Sequence, residues 1–454
     1  MTKHKTPTLH MLNKLIKPLK FYGIAAVILG ILANTASAQD TRTITLPEAI
    51  SLGLQTSKTL KYSQAKIDEA VTEFNQAKDK SLPTGSVSAT YDRAQIPEHV
   101  LNFGGETIGL PTSANAYLGI ASINETIWAG NKLRYARQST DLLTQVSRLD
   151  ASSDKDQITY DIISAYYNLY KVLQSIKVVN QNIATVDAQI HQSQRFLDQG
   201  IVTKNDVLRF ELQKANIQLN GIDLESNRKI INYNLDILLG LPETTNLNID
   251  EITDAAKPVG PLTDYLDTAL VNRQELQSLD LRNRVAQTNI KSIQANLSPT
   301  LAASAAGYYV GIAGNPIPKV GNDITPITVG LTLSWDFSAL WTNKNKVAQA
   351  KVQQQEVEIN KGITSDNVRN EVNQNYQNYI AAINKIQLLQ TSIDQAGENN
   401  TILQNKYASN IASATDRADA ETLLYQAQIN IELAKADAGL AYYTLLKSTG
   451  KLNK

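Results

Sequence analysis

Apolar positions recur at alternating steps of three and four along a long central stretch of the sequence. They are Ile162, Ala165, Leu169, Val172, Ile176, Val179, Ile183, Val186 and Ile190. This spacing is a heptad seam, which predicts a helix that buries one stripe against partner helices. We predict that helix over about residues 130–198, a length on the order of 100 Å. A rod of that length spans a distance that no compact domain needs.

The seam returns about 210 residues later. Its positions are then Val372, Asn375, Tyr379, Ala382, Ile386, Leu389, Ile393 and Ala396, with a polar interruption only at Asn375. The repetition predicts an internal duplication. The first repeat is predicted over residues 39–258 with a helical hairpin at about 130–240, and the second over 259–454 with a hairpin at about 343–448.

Each repeat is predicted to open with one helix of about 35 residues, which ends before Pro83 in the first repeat and before Pro299 in the second. Each long helix is predicted to stop at a residue that tolerates the left-handed conformation, Gly200 and Asn410 respectively. A second helix then starts in each repeat. Its predicted cap residues are Thr203 and Asp206 in the first repeat and Thr415 and Asp416 in the second.

Four segments show the period-2 alternation of β-strands. They are predicted at about 84–92, 112–124, 300–312 and 325–337. The last segment is the clearest, because Ile327, Val329, Leu331, Leu333, Trp335 and Phe337 alternate with small or polar residues. Strands of about ten residues bounded by Tyr and Trp are typical of a transmembrane barrel. The alternative is a soluble sandwich with one face on a core.

Four strands cannot close a barrel, because single-chain barrels begin near eight strands. An open edge in lipid would leave backbone groups without hydrogen bonds. The sequence therefore predicts that several chains share one barrel. The loops at about 92–111 and 313–324 are rich in Gly, Pro and Asn and are predicted to be extracellular turns.

The N-terminus has the pattern of an export signal. Lys14, Lys17 and Lys20 precede the apolar run of residues 21–33, and the small residues of the 36–38 segment follow. We predict a signal peptide at residues 1–38; the alternative is a membrane anchor.

The amino-acid composition limits which ligands and which kinds of catalysis are plausible. The 43 Lys and Arg balance the 43 Asp and Glu, so no basic excess favours nucleic acid as a partner. The sequence has no Cys and only four His. Thiolate chemistry is excluded, and too few histidines are present to favour a His-based metal site. No nucleophile–base constellation and no Gly-rich phosphate loop occurs, so we expect no catalytic residues, no metal site, no cofactor and no enzyme activity.

Several motifs together resemble one family. The resemblance lies in G-x-V-x-x-x-D-V at Gly200–Val207, in the Tyr407–Ala427 segment ending LLYQA, and in the leads TLPEAISLGLQTSKTL and INETIWAGNKLRYA. With the export signal and the duplication, the chain resembles the TolC-like outer-membrane efflux proteins over essentially all of its mature length.

The resemblance implies a mainly α fold with a membrane β part. Long antiparallel helical hairpins would form an α-barrel that crosses the periplasm, and four strands per chain would contribute to a 12-stranded β-barrel in a homotrimer. The chain would lie in outer-membrane lipid as a passive duct. Its partners would be a periplasmic adaptor (membrane fusion) protein and an inner-membrane transporter of the RND, ABC or MFS type.

The resemblance also assigns roles to residues. Asp416 and Asp419 match the acidic pair at the narrow periplasmic end, where rings of acid in a trimer would attract cations; helix capping by Asp416 and a solvated surface position for Asp419 are the alternatives. Asp206 and Tyr407 match polar links that hold the entrance coils closed. The arginine that partners them in the family is replaced here by Ala412.

Two further sets of residues complete the predicted site. The hairpin turns at Gly200 and Asn410 are predicted to contact the adaptor protein. Trp128, Trp335 and Trp341 are predicted to anchor the barrel at the membrane interface, with caps of the barrel base as the alternative.

The main competing function is an exported coiled-coil protein that serves as a structural spacer in the envelope. The heptads alone would allow it. Four strands with apolar faces argue against it, because a spacer needs no surface that faces lipid.

Overall fold

The computed structural model describes residues 41–95, 97–98, 100–109, 113–250, 257–313 and 323–453. The predicted signal peptide at 1–38 and most of the predicted loop at 313–324 lie outside these ranges. Within them, no helix combines the length and the apolar character that crossing a membrane requires.

The described elements of the first half run in the order strand, two helices, strands, long helix, helix, strand. They are β1 (Thr41–Ile44), α1 (Leu46–Thr56), α2 (Lys58–Asp79), β2 (Thr84–Gln95), β3 (Val100–Phe103), β4 (Glu106–Gly109), β5 (Ser113–Trp128), α3 (Lys132–Asp198), α4 (Lys204–Leu239) and β6 (Asn246–Ile249).

The second half repeats most of this order. It contains α5 (Leu262–Asn272), α6 (Gln274–Gln294), β7 (Thr300–Ala313), β8 (Asp323–Ile324), β9 (Ile327–Ser334), α7 (Ala339–Ala408) and α8 (Ala414–Ser448), with a short 3-10 turn at Ala295–Leu297. Each half thus holds two short helices, a pair of long strands, one very long helix and its antiparallel partner.

The two long helices follow from their sequences. α3 has 67 residues and α7 has 70, so each is about 100 Å long. Neither contains Pro, the residue that would break it. The predicted seam of α3 is its buried stripe, since Ile162, Leu169 and Val186 are fully buried. The seam of α7 is buried at Val372 and Tyr379 and more open toward Ala396.

One part of the helix prediction is wrong. The single opening helix of about 35 residues is two helices in each half, α1 with α2 and α5 with α6. The breaks fall at Ser57 and Arg273, whose ψ angles of 118° and 121° are extended. Ser57 accepts a hydrogen bond from the backbone N–H of Leu60 and so starts a new helix. The Arg273 guanidinium reaches Glu371 on α7 at 2.9 Å, which holds the second break against the long helix.

α3 changes partners along its length. Its first half packs on α2 and α6, where Asp154 accepts from Ser63 and Asp156 accepts from Gln274. Its second half packs on α4 and α8, where Asp187 pairs with Lys214 of α4 at 2.6 Å. α7 packs on α5 and α6 and then on α8 in the same way. The chain is therefore one elongated bundle whose far end consists of the two hairpins α3–α4 and α7–α8.

The four long strands form one antiparallel sheet in the order β2-β5-β7-β9. β2 covers the predicted strand at 84–92 and continues to Gln95, and β5 extends the predicted strand at 112–124 to Trp128. β9 ends at Ser334, so Trp335 and Phe337 follow the strand instead of lying in it. The short β8 also pairs with β7, and β3 and β4 form a separate hairpin.

A two-stranded parallel sheet was not predicted. β1 pairs with β6 from Thr41–Asn246 to Ile44–Ile249. Ile44 and Leu247 are buried in the largest hydrophobic cluster, with Ile162 and Leu235, and Tyr166 of α3 donates to the carbonyl of Ile44 at 3.1 Å. This core ties the start of the described chain to the middle of the long bundle.

Candidate functional site: the turns of the two long hairpins

Both hairpins turn through a left-handed residue, as the sequence predicts. Gly200 has φ 73° and Asn410 has φ 58°. In each turn the next residue donates back to the helix: Ile201 N–H to Phe196 at 2.9 Å, and Ile411 N–H to Lys406 at 2.8 Å. These bonds satisfy carbonyls that the helix end would otherwise leave free. They also leave Ile201 and Ile411 exposed at the two tips.

The helices after the turns start with matching capping boxes. Thr203 donates to Asp206 from its backbone N–H and its hydroxyl, at 2.8 and 2.7 Å. Ser413 donates to Asp416 in the same way, at 3.1 and 2.7 Å. The predicted second start at Thr415 and Asp416 is therefore corrected, since the cap is Ser413 and Asp416 is the third helical residue. Sequence reasoning passed over Ser413 because Thr415 is an equally good cap by residue type.

Asp416 and Asp419 lie on the exposed side of α8. Hydrogen bonds from the Ser413 side chain and backbone hold the pKa of the Asp416 carboxyl below its usual range, so Asp416 is ionised at neutral pH. Asp419 lies at the wall of a groove between α4 and α8, opposite Arg209. Asp416 therefore caps α8 and also presents an exposed negative charge, so the two interpretations of this residue are compatible. Its place in a ring of acids stays a prediction.

Tyr407 is buried where the two hairpins meet. Its ring packs against Phe196 at 5.9 Å and edge-on against Phe210 at 5.8 Å. Burial raises the pKa of its hydroxyl, and the neighbouring Ser193 side chain on α3 opposes that rise. Within one chain the structure holds Asp206 in its capping box and does not join it to Tyr407. Ala412 is packed against the same cluster.

Sequence reasoning missed a buried polar cluster beside this aromatic one. Arg417 and Glu421 form an ion pair at 3.0 Å, with side chains only 3% and 4% exposed. Arg417 also donates to the side chain of Asn400 on α7, and Gln189 on α3 donates to Glu421 at 3.2 Å. The available signal was the position of Arg417, which falls on the buried phase of α8 between Ala414 and Ala420.

The three tryptophans lie where the sheet joins the helices. Trp128 ends β5, Trp335 follows β9, and Trp341 is in the first turn of α7. Trp335 donates its indole N–H to the carbonyl of Leu297 at 3.0 Å, and Trp341 packs on Phe337 at 5.8 Å. All three are substantially exposed. This placement is compatible with both predicted roles of the tryptophans, as anchors at the membrane interface and as caps of the barrel base.

The described residues contain no group of three or more carboxylate or imidazole side chains placed to hold a metal ion. The residues described at this end of the bundle are two turns, exposed acids and buried contacts.

Comparison with known proteins identifies the architecture. The model of the family described as outer membrane efflux protein matches residues 265–451. The outer membrane efflux protein BepC of Brucella suis biovar 1 (strain 1330) is 21% identical over 437 residues, which cover 94% of this chain and 90% of BepC. The outer membrane protein TolC of Salmonella enteritidis is 22% identical over 409 residues, which cover 87% of this chain and 79% of TolC.

Solved structures show the same fold. The outer membrane protein VceC of Vibrio cholerae superposes with a TM-score of 0.74 at 16% identity, covering 89% of this chain and 96% of VceC. The outer-membrane channel OprN superposes with a TM-score of 0.73 at 16% identity, covering 89% of both chains.

The fold is therefore that of outer-membrane channel proteins, with paired helical hairpins below a four-stranded sheet. Residues 265–451 match the model of the outer membrane efflux protein family, and most of the chain is similar in sequence to BepC and TolC. The predicted fold and the predicted resemblance to the TolC-like outer-membrane efflux proteins are both confirmed.

Proposed function

We propose that this chain is the exit duct of an efflux or secretion system, located in the outer membrane and extending into the periplasm. Substrate passes through it without energy input, toward the outside of the cell. The observation that carries this proposal is the open sheet of the described strands. Its edge strands β2 and β9 each have one neighbour among the long strands, it has an apolar exposed face, and it continues into helices about 100 Å long.

The exposed face of the sheet suits lipid. Val87, Ile327 and Val329 are each more than 80% exposed, and Leu331 and Leu333 are 69% exposed. A soluble chain would bury such side chains, since burial of each one contributes about 1.5–3 kcal/mol. The other face carries small hydroxyl side chains on its edge strands, with Ser86 hydrogen-bonded to Ser122 and paired rows ending at Thr328. Leu118, Ile120 and Tyr308 lie on the same face in the middle of the sheet. This small polar face would line the lumen.

The strand directions allow copies of the chain to close a barrel. β2 and β9 are the two edges, and the four strands alternate in direction. β9 of one copy therefore meets β2 of the next in antiparallel orientation. Two copies would give eight strands, whose interior side chains fill. Three copies give twelve strands and leave a lumen, in agreement with the homotrimer that the family resemblance implies.

The helices also have unpartnered faces for neighbouring copies. Exposed apolar side chains run along α4 and along α7. On α4 they are Leu208, Leu212, Leu219, Ile222, Ile230, Tyr233 and Ile237, and on α7 they are Val352, Ile359, Ile363, Leu388 and Ile402. Packing these two stripes against each other between copies would surround a continuous tunnel.

The turns at Gly200 and Asn410 are the proposed contact with a periplasmic adaptor protein. They stand at the far end of the bundle from the sheet and present Ile201 and Ile411 to solvent. An inner-membrane transporter of the RND, ABC or MFS type would supply the energy. Asp416 and Asp419 of three copies would together form the cation-attracting entrance.

The proposal is tested by measuring the native mass and the ion conductance of the protein extracted from isolated outer membranes. Extraction in mild detergent should give a native mass near three chains of 49.8 kDa each, less the signal peptides. In planar lipid bilayers this trimer should conduct ions with a preference for cations. Asp416→Ala with Asp419→Ala should lower the preference and weaken block by hexaamminecobalt(III). The matched control is Asp394→Ala with Glu398→Ala, an exposed acid pair higher on α7.

A monomer, or a protein found only in the soluble periplasmic fraction, would overturn the duct and favour the coiled-coil spacer. A trimer that conducts but is insensitive to both acid substitutions would retain the duct and remove the acidic entrance.

A further inference from the structure

Arg417, Glu421, Asn400 and Gln189, here called the α8 polar cluster, join three helices. Arg417 and Glu421 are on α8, Asn400 is on α7 and Gln189 is on α3. The ion pair itself lies within α8, with both side chains buried, and Asn400 is half-buried. The hydrogen bonds to Asn400 and from Gln189 are what extend the pair to the other two helices, whereas the exposed pair Arg369–Asp366 lies within α7.

The internal duplication shows that closing a hairpin does not need this cluster. The first-half counterparts, about 210 residues earlier, are Val207 for Arg417 and Ile190 for Asn400. Val207 is buried in α4 just as Arg417 is buried in α8. The counterpart of Glu421 is Glu211, which is exposed. The first hairpin therefore closes on apolar contacts at the same positions. We infer that the α8 polar cluster has a role other than closing its hairpin.

The cluster lies within one turn of the exposed acids. Asp416 and Asp419 flank Arg417 in sequence and lie on the opposite, exposed side of α8. A buried ion pair adds little net stability, because desolvation offsets its attraction, but removing one partner leaves an uncompensated charge. Such a pair favours one arrangement of helices over near alternatives more strongly than apolar contacts do. A shift or rotation of α8 would break bonds to both neighbouring helices.

We propose that Arg417 and Glu421 are positioning residues that fix the rotation of α8 against α3 and α7, and so set where the Asp416 and Asp419 carboxylates stand in the duct. This inference rests on the proposed duct. It adds that the strength of cation binding at the entrance depends on residues that never touch the cation.

The test compares block of the reconstituted trimer by hexaamminecobalt(III). The main variant is Asn400→Ile, Arg417→Val, Glu421→Gln, which installs the first-half apolar pair and leaves no buried charge. We expect its half-blocking concentration to rise at least about fivefold, the lower range of typical coupling between sites. Both contacts of Arg417 are made by one nitrogen, Nη1, so the site is not bidentate. Arg417→Lys keeps a compact positive charge beside Glu421, and its half-blocking concentration should stay within about twofold of the wild type. Arg369→Met removes an exposed pair and should change nothing.

The measurements distinguish a change in the position of the Asp416 and Asp419 carboxylates from a loss of folding or assembly. Trimer yield and thermal unfolding are measured on every variant, and only block by the trivalent cation reports where the carboxylates lie. An unchanged half-blocking concentration in a fully assembled triple variant would overturn the proposal. So would loss of the trimer in that variant, since the cluster would then be a folding determinant. A wild-type trimer that is not blocked at all points to failure of the proposed acidic entrance instead.

Discussion

The carboxyl group of Asp236 is fully buried in α4, next to the parallel β1–β6 sheet. It accepts a hydrogen bond from Asn232 at 2.8 Å, and its other oxygen lies without a partner. Asn232 itself binds the backbone of Thr245 and Leu247. Burial raises the pKa of Asp236 to about 6 from an ordinary value of 3.8. The folded protein therefore binds this proton more tightly than the unfolded chain does.

Asp236→Asn should stabilise the protein at neutral pH. Because the folded pKa is raised, the wild-type carboxyl costs nothing below its unfolded pKa of 3.8 and costs progressively more as the pH rises to about 6. The full difference is about 3 kcal/mol at most. Thermal unfolding followed by far-UV circular dichroism should show little gain at pH 4 and a clear gain at pH 7.5. Asp223→Asn, another aspartate of α4, is the control; a gain independent of pH would contradict this account.

Single residues differ in how far sequence predicts them. Gly200 and Asn410 could be identified because a left-handed helix end favours those two residue types. Arg417 was harder to identify: it falls on the buried phase of α8, but a charged residue on a helix is ordinarily solvated. Its partners Asn400 and Gln189 come from other helices, one of them 232 residues from Glu421 in the chain. A polar cluster assembled from three helices has no local signature.

At the scale of elements, the turns of the two hairpins can be compared with each other. Gly200 and Asn410 occupy the same left-handed position in equivalent hairpins. No atom lies within 4 Å of a Cβ built on Gly200, so only the backbone conformation limits which residue fits there.

Gly200→Asn should therefore be tolerated, while Gly200→Val should destabilise the first hairpin. A β-branched side chain in this conformation costs about 1–2 kcal/mol or more. The measurement is limited proteolysis of the assembled protein, with cleavage mapped to residues 195–205. The Val variant should be cut faster than the wild type, and the Asn variant at the wild-type rate. Equal cutting of both variants would show that strain at this turn does not govern its opening.

Most of the helices and strands were predicted from the periodicity of apolar residues. The long helices, their turns and the four long strands follow from local patterns of apolar residues. The two breaks were not predicted. Ser57 is a residue type that favours a helix N-cap, and it caps α2, but apolar periodicity alone does not show it. The break at Arg273 depends on contacts of its side chain with α7. The β1–β6 sheet pairs four-residue strands from opposite ends of the first half, and strands that short carry too few residues to show a period.

At the scale of the whole molecule, the two edge strands of the described sheet, β2 and β9, allow the proposed assembly to be tested. Within one chain, β5 and β7 separate β2 from β9, so these edges are about 14 Å apart at ordinary strand spacing. A disulfide needs Cα atoms within about 7 Å. A disulfide between β2 and β9 can therefore form only between copies. The chain contains no Cys of its own, so introduced cysteines have no competitors.

Cysteine at Thr332 of β9 should cross-link to cysteine on the same face of β2, tested in turn at Ser86, Ser88 and Thr90. The strand registers place all four side chains on the small polar face. At least one pair should give covalent dimers and trimers, and nothing larger, on oxidation in outer membranes, because in the proposed assembly three copies close the ring. Thr332→Cys alone, and Thr332→Cys with Ala89→Cys on the opposite face, should give none beyond background. No cross-link in any pair would rule out the β9–β2 joint, and a ladder that continues past three chains would mean an open assembly with no closed duct.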